Sequence, residues 1–289
     1  MAEQMQNIQR RIKSISSTER ITNAMKLVSA AKLRKAKNAF ESAQRYMGTL
    51  LTSIQRILDD TPDVPTEFLV GSREIKNKCY LLITSSNGLC GSFNGNVIRA
   101  MDETLKQSGT RIEDTRLITV GTKGKEYFAA RGAQILVEHD APADTVTFEE
   151  TRNVSQPLME MYLRGEIDEI DIVYTSYVNT LRQEVVVKKL LPLDIAKLEE
   201  GTFARPIEYE PSAEEVFTYL IPKYIELMIF SACIESATCE YAARRTAMEN
   251  ANDNAQDMLA DLQLAYNHAR QADITDEIIE IVAGSQAQE

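Results

Sequence analysis

Two glycine-containing loops hold the residues whose types and spacing could bind a phosphate. The first is Gly88-Leu-Cys-Gly91, with Gly95 beyond it, and the second is Gly121-Thr-Lys-Gly124. Each follows a predicted buried strand and precedes a predicted helix, which is where dinucleotide-binding folds hold a pyrophosphate. The first loop has the spacing G-x-x-G-x-x-x-G instead of G-x-G-x-x-G, and neither loop carries the Lys-Ser/Thr pair of a P-loop. These departures favour a tight turn that uses glycine's access to positive φ, with a nucleotide cradle as the alternative.

Candidate metal ligands and nucleophiles are few, and their spacing is not that of a site. The four cysteines form no C-x-x-C pair, and the chain has two histidines. Neither G-x-S-x-G nor H-E-x-x-H occurs in the sequence. We therefore expect no catalytic residue, no metal site and no cofactor, and we expect structural roles for Cys79, Cys90, Cys233, Cys239, His139 and His268.

The composition is typical of a folded protein in a reducing compartment. Hydrophobic residues make up 44% of the 289 residues and charged residues 26%, which excludes a disordered chain. Four cysteines are too few for a disulfide scaffold. No run of 18 apolar residues occurs, and the first residues lack the apolar core of a secretory signal, so we expect neither a membrane span nor secretion.

The net charge of −11 is unevenly distributed along the chain. Residues 1–58 carry a net charge of +8, residues 59–205 carry −7, and residues 206–289 carry −12. The basic start could be a solvated helix face, or could bind nucleic acid, or could pair with the acidic end. It lacks interleaved aromatic residues and any nucleic-acid-binding motif, which disfavours the second reading.

The elements that would position any site begin with a long N-terminal helix. Residues 2–47 contain neither Gly nor Pro and are rich in good helix formers. A helix over residues 1–58 would be about 85 Å long, far beyond the usual globular length. Its apolar residues recur at steps of mostly three or four, which predicts one buried stripe through Ile8, Ile12, Ile15, Ile21, Met25, Val28 and Ala31.

A second long helix is predicted at the other end of the chain, because residues 223–283 again contain neither Gly nor Pro. A four-three spacing predicts a coiled-coil seam through Tyr241, Arg245, Met248, Asn252, Ala255, Leu259, Leu262 and Tyr266. Neither helix can bury its apolar stripe alone. The simplest partner for the basic helix is the acidic one, in an antiparallel coiled coil within the chain.

Between the two helices the periodicity changes to that of alternating strands and helices. We predict strands at 79–84, 117–120, 134–137, 170–177 and 184–191, the last two forming a hairpin. Helices are predicted at 94–108, 123–131 and 149–164, which implies a mostly parallel sheet covered on both faces. The predicted fold is thus a mixed one, a long antiparallel coiled coil with an inserted Rossmann-like α/β domain. Its predicted domains are 1–58, 75–195 and 210–285.

Both ends of the chain resemble the γ subunits of F-type rotary ATP synthases. The N-terminal motif is Ile21-Thr-Asn-Ala-Met-Lys-Leu-Val-Ser-Ala-Ala-Lys-Leu-Arg34. The C-terminal stretch 262–284 carries the pattern I-T-x-E-x-x-E-I-x-x-G as Ile274, Thr275, Glu277, Glu280, Ile281 and Gly284. The loops at 88–91 and 120–124 and the pair Asn179-Thr180 agree as well, so the resemblance covers essentially the whole chain in order.

The resemblance implies a central-stalk rotor without catalytic residues or nucleotide. Its two long helices would form a shaft inside a ring of α and β subunits, and its α/β domain would lie next to the ε subunit and the c ring. Rotation driven by ion flow would then drive ATP synthesis at the β subunits. The chain would contact no nucleic acid. It would lie peripheral to the inner, cytoplasmic face of a bacterial plasma membrane and would meet that membrane only indirectly.

The resemblance also implies partner contacts on the β subunits. Arg270 and Gln271 match the pair that the family uses to hydrogen-bond a β-subunit loop, with Thr275 and Glu277 just beyond. Three further residues match the region that faces the β-subunit lever segments: Met25, Arg244 and Met248. Without the resemblance, the exposed members of this set would be interpreted as solvated helix surface.

Two departures and two rival functions qualify this interpretation. Ser86-Asn87 replaces the family's usual acidic-basic pair, which argues against an ionic role for that loop, and the cysteine-bearing regulatory insertion of photosynthetic members is absent. The first rival is a nucleotide-binding α/β protein with coiled-coil arms. The second is a coiled-coil adaptor or nucleic-acid binder that uses residues 1–58, against which the acidic C-terminal segment would compete.

Overall fold

A computed structural model describes residues 2–61, 66–70, 74–140, 142–180, 182–193 and 209–286. Five α-helices are described: α1 (Ala2–Asp60), α2 (Phe93–Ser108), α3 (Thr122–Ala129), α4 (Phe148–Leu163) and α5 (Ala213–Gln286). The strands in the same residues are β1 (Lys78–Ile83), β2 (Arg116–Val120), β3 (Gln134–His139), β4 (Glu169–Tyr177) and β5 (Gln183–Leu191). Each strand and helix predicted between the two long helices is confirmed to within a few residues.

The five strands form one mixed sheet with the order β3-β2-β1-β4-β5. Strands β1 to β4 run parallel to one another, whereas β5 pairs antiparallel with β4. The antiparallel pair confirms the predicted hairpin, because two strands joined by a short connection run in opposite directions. The remaining connections pass through helices, as parallel pairing requires.

The sheet has a separate apolar core on each face. Alternate residues of β1 point to opposite faces, so Leu81 and Ile83 belong to one cluster and Tyr80 and Leu82 to the other. The first cluster includes side chains from α1, α4 and α5, and the second includes side chains from α2 and α3. Burial on both faces explains why the strands read as continuous apolar runs instead of alternating ones.

Local sequence signals fix the ends of the short helices. Thr147 and Glu150 form a capping box at the start of α4, with each side chain bonded to the other's backbone N–H. Gly109 ends α2 in the left-handed conformation, at φ 69°. Its N–H donates hydrogen bonds to the carbonyls of Leu105 and Lys106.

Helix α5 is apolar over much of its length. It contains an 18-residue window of mean hydropathy 1.4, the one stretch of the described residues long and apolar enough to cross a membrane by length and composition. However, 56% of that window is buried in the protein. Its side chains belong to the larger sheet core, including Phe217, Ile221 and Ile225. Packing against the sheet therefore accounts for its apolar character.

The chain divides into two compact units that share both long helices. One unit comprises residues 1–30 and 244–289, and the other comprises residues 31–243. The described residues of the first unit all lie in α1 and α5, whereas the second unit holds the sheet and its helices. The domain limits 1–58, 75–195 and 210–285 remain a prediction from the sequence.

Candidate functional site

The loop after β1 is held by its own side chains and by the next loop. Asn94 accepts a hydrogen bond from the Ser85 N–H at 2.9 Å and donates one to the Ser85 hydroxyl at 2.7 Å. Leu89 (φ 62°) and Gly91 (φ 58°) take the left-handed conformation between these anchors. The Thr122 hydroxyl donates to the Ser86 carbonyl at 3.0 Å. This bonding is that of a tight structural turn.

The second glycine loop is packed as closely as a backbone allows. A Cβ added to Gly121, whose φ is +85°, would lie 2.1 Å from the carbonyl oxygen of Thr84. The N–H of Gly124 donates a hydrogen bond to the Thr84 hydroxyl at 2.9 Å. Here glycine allows close contact with the end of β1, not with a ligand, so the turn interpretation has direct support.

Three of the four cysteines lie where the protein opposes ionisation of the thiol. All four are buried and free. Burial raises the pKa of the Cys79 thiol and of the Cys233 thiol to about 12, and burial followed by the nearby Glu235 carboxylate raises the pKa of Cys239. Among the residues that the structure describes, no group of three His, Cys, Asp or Glu side chains could hold a metal ion.

The two ends of the chain form an antiparallel helical pair, defined here as residues 2–30 of α1 and 244–286 of α5. Gln9 donates a hydrogen bond to the Tyr266 hydroxyl at 2.9 Å, and Gln256 donates one to the Glu19 carboxylate at 3.5 Å. The Lys26 ammonium lies 3.8 Å from the Glu249 carboxylate. Positions rise along α1 as they fall along α5, which confirms the antiparallel pairing of the two helices.

The buried seam of α1 differs from the predicted stripe in its second half. Ile8, Ile12 and Ile15 are half-buried as expected, but Ile21 and Val28 are 60% and 56% exposed. The seam continues instead through Thr22 and Ser29, which are buried. The prediction for Ile21, Val28 and the exposed Ala31 was therefore wrong, although Met25 is half-buried.

A strict 3.5-residue repeat from Ile15 leads to Thr22 and Ser29, whereas Ile21 and Val28 lie about 100° away around the helix. At the same level the buried residues of α5 are Met248, Ala255 and one polar residue. Asn252 is buried there as predicted, and Arg244 is more buried than the predicted Arg245. Thr22, Ser29 and Asn252 therefore lie inside the pair, whereas Ile21 and Val28 face outward.

Four of the candidate contact residues lie near the end of α5, and all four are exposed: Arg270, Gln271, Thr275 and Glu277. The Thr275 hydroxyl donates to the backbone carbonyl of Gln271 at 2.8 Å, which leaves the Gln271 side chain unaffected. Because Gln9 lies opposite Tyr266, the first described residue of α1 lies opposite about residue 273. Arg270 and Gln271 thus occupy the last paired turn, and Thr275 and Glu277 lie beyond it.

The other three candidates lie further along the pair. Met25 is half-buried on α1, and the Lys26–Glu249 ion pair places it at the level of Met248 on α5. Met248 and Arg244 are 5% and 8% exposed, so both belong mainly to the interior of the pair. About 33 Å of helix separates Met248 from Arg270, so the structure divides the seven candidates into two groups. Their contacts with a partner remain a prediction.

Known proteins match this chain over almost its whole length. A model of the ATP synthase family matches residues 4–287. The ATP synthase γ chain of Alkaliphilus metalliredigens is 43% identical over 289 aligned residues, covering 98% of each chain. The sodium-ion-specific ATP synthase γ chain of Acetobacterium woodii is 38% identical and covers 99% of each chain. The chain belongs to the ATP synthase γ-chain family.

The fold is shared with chains of solved ATP synthase structures. The Euglena gracilis mitochondrial ATP synthase contains a chain that aligns with a TM-score of 0.68 at 17% identity, covering 100% of this chain and 95% of that one. A chain from the central stalk and c ring of the Tetrahymena thermophila enzyme aligns with a TM-score of 0.59 at 21% identity. The predicted fold class is confirmed. As a γ chain, the protein is a non-catalytic central-stalk subunit.

Sequence reasoning missed one surface of this γ chain. The end of α5 exposes Ile274, Ile278, Ile279, Ile281 and Val282, with exposed fractions between 46% and 71%. The signal was present, because at about 100° per residue these five positions fall within one arc of about 160°, and Asp276 and Glu277 lie outside it. Such a pattern indicates an amphipathic helix whose apolar face continues past its intramolecular partner.

Proposed function

We propose that this γ chain is the central rotor of an F-type ATP synthase. It couples ion-driven rotation of the membrane c ring to ATP synthesis, or to hydrolysis in reverse, at the catalytic β subunits. It works on the cytoplasmic side of a bacterial plasma membrane, as a peripheral part of the complex. Its partners are the α and β subunits, which surround the helical pair, and the ε subunit and c ring, which adjoin the α/β core.

The observation that carries this proposal is the pairing of the two chain ends. Gln9 and Tyr266 are 257 positions apart in sequence and hydrogen-bonded in the structure. Helices without internal partners bend and fray, whereas two paired helices resist bending, which a rotating shaft requires. The similar chains come from a central stalk with c ring and from a rotor of mitochondrial ATP synthases, which supports the same assignment.

The charge of the helical pair favours the same function over nucleic-acid binding. The basic residues 1–58 lie on α1, and acidic residues of α5 lie along its first half, as the ion pair between Lys26 and Glu249 shows. Acidic groups along a basic helix repel a phosphate backbone. The outward side chains Ile21, Leu27 and Val28 instead suit contact with a protein surface.

The test is ATP hydrolysis by the cognate αβ hexamer with and without this chain, alongside the chain alone. We expect one copy of the chain per hexamer, a stimulated rate of multi-site turnover, and no hydrolysis by the chain alone. Failure to incorporate into the hexamer would contradict the rotor function. Hydrolysis by the isolated chain would instead support a nucleotide-binding enzyme and return attention to the loop from Gly88 to Gly95.

A further inference from the structure

Glu235 is a buried carboxylate on α5 that lies against the end of β4. Its side chain is 8% exposed. One of its oxygens, Oε1, accepts hydrogen bonds from the Ser176 hydroxyl at 2.6 Å and from the Tyr177 N–H at 2.8 Å. Among the described residues, no Lys or Arg forms an ion pair with it. Burial of a carboxylate is costly unless it is hydrogen-bonded, so these two bonds make its position on α5 tolerable.

A second contact joins the same strand to the next turn of the helix. The Cys239 thiol donates to the Thr175 carbonyl at 3.5 Å. Residues 235 and 239 are four apart on α5 and share one face, and they meet three consecutive residues of β4. We call this group the β4–α5 junction: Thr175, Ser176, Tyr177, Glu235 and Cys239.

The junction differs in kind from the other contacts between α5 and the sheet. Most of those contacts are apolar, as in the cluster that contains Phe217, Ile221 and Ile225. The hydrophobic effect is non-directional, so apolar burial specifies the rotation of a helix about its axis less sharply than a hydrogen bond does. Charge-assisted hydrogen bonds are directional and fix the rotation of the helix.

We propose that Glu235 is a positioning residue for coupling, because it locks α5 to the sheet against rotation about the helix axis. The inference rests on the rotor function proposed above. In that function the α/β core and α5 must turn together while torque passes between them. The Glu235 carboxylate holds the end of β4 through a side-chain hydroxyl and a backbone N–H, so a twist of α5 must break both bonds before the helix slips.

Three substitutions separate the parts of this role. Glu235→Ala removes both hydrogen bonds, whereas Glu235→Gln keeps an oxygen of the same shape at Oε1 that can accept both. Ser176→Ala removes one bond and leaves the other, with little change in the volume of the core. Asp257→Ala is the matched control, since Asp257 is an exposed acidic residue of the same helix.

The experiment uses the membrane-bound enzyme containing each variant, in inside-out vesicles. It measures ATP hydrolysis and, with a membrane-potential dye that reports either H⁺ or Na⁺ movement, the ion gradient reached per ATP hydrolysed. We expect Glu235→Ala to lower that ratio at least about twofold while hydrolysis continues. Glu235→Gln and Asp257→Ala should keep the ratio of the unmodified enzyme, and Ser176→Ala should fall between.

A purely structural role would lower the amount of assembled enzyme and reduce hydrolysis and pumping together. An unchanged ratio for Glu235→Ala would therefore overturn the proposal. If that variant fails to assemble, an unchanged ratio for Ser176→Ala would overturn it instead. Absence of ATP-driven pumping in the unmodified enzyme would contradict the rotor function itself, which distinguishes the two failures.

Discussion

The Glu249 carboxylate lies 3.8 Å from the Lys26 ammonium, in a stretch of the helical pair where three polar side chains are buried. Thr22 and Ser29 lie on one side of this stretch, and Asn252 on the other. A polar residue such as Asn at a seam position defines register at a cost in stability. The ion pair joins the two helices within this stretch.

A charge swap at the ion pair tests its role in register. Lys26→Glu places two carboxylates together and should lower the free energy of unfolding by about 0.5–1 kcal/mol, since the pair is partly exposed. Adding Glu249→Lys should recover at least half of that loss. Thermal unfolding of the purified chain, at low and high salt, measures both effects, and both should shrink in high salt.

The control for the charge swap is Glu249→Lys alone, which should be as destabilising as Lys26→Glu. If the double variant were no more stable than either single variant, the ion pair would not contribute to the pairing of the helices.

Gly121 and Gly95 form a matched pair for testing the glycine loops. Gly121→Ala must place a Cβ 2.1 Å from the Thr84 carbonyl oxygen at a φ of +85°, so we expect a loss of at least about 3 kcal/mol of stability. Gly95 lies in helix α2, with nothing within 4 Å of an added Cβ. Gly95→Ala should therefore be neutral or stabilising by about 0.5–1 kcal/mol.

Chemical denaturation of the two variants beside the unmodified chain measures this difference. A loss from Gly95→Ala as large as that from Gly121→Ala would show that the first loop, too, needs glycine for a reason that its geometry does not reveal.

The α/β core was predictable because its signals are local. β1 and β2 are short apolar runs bounded by polar turns, and α4 begins at a capping box that a reader of the sequence can see. The seam of α1 was predictable only in part. Ile21 and Val28 continue an apolar period along α1, and only the partner helix, more than 200 positions away, decides that Thr22 and Ser29 face inward.

The site was less predictable than the fold for a related reason. Arg270 and Gln271 were found through resemblance to a family, since nothing in their spacing distinguishes them from solvated helix surface. Glu235 was missed because one acidic residue among the 43 of the chain carries no local pattern. Its partner Ser176 lies 59 positions away on a different element, so only the fold brings the two together.

Asp171 provides a pH test of the sheet. Burial, followed by the nearby Glu169 carboxylate, raises its pKa from 3.8 to about 6. Because the folded pKa exceeds the unfolded value, the folded state binds the proton more tightly, and stability falls as the pH rises from about 4 to about 6. Asp171→Asn removes this penalty and should raise stability by roughly 1–2 kcal/mol at pH 8, with the gain disappearing toward pH 4.

Glu169 on the same strand gives the opposite control. Burial opposes its ionisation, but hydrogen bonds from Lys189 and Lys78 lower its pKa below the ordinary value of 4.5. The ionised Glu169 therefore stabilises the folded state at neutral pH, and this stabilisation is lost as the pH falls through the lowered pKa. Glu169→Gln should destabilise the chain at pH 8. Urea titrations from pH 4 to pH 8 measure the free energy of unfolding of both variants and of the unmodified chain. If both substitutions stabilised the chain at pH 8, or both destabilised it, this account would be contradicted.

The last prediction concerns Arg270 and Gln271, which are exposed on the last paired turn of α5. Replacing both with Ala should leave the helix intact, since Ala is the best helix former and the Thr275 hydroxyl bonds to a backbone carbonyl that Ala retains. If the two side chains hold a β-subunit loop, ATP synthesis should fall by about tenfold, the effect of losing one charged hydrogen bond of about 1.5 kcal/mol.

Asn267→Ala with His268→Ala is the matched control, since both residues are exposed on the preceding turn of the same helix. This double variant should synthesise ATP at the normal rate, and both double variants should assemble to the same extent in membranes. Normal synthesis by Arg270→Ala with Gln271→Ala would remove these residues from the contact site. An equal loss in both double variants would instead assign the effect to the helix surface in general and not to the two side chains.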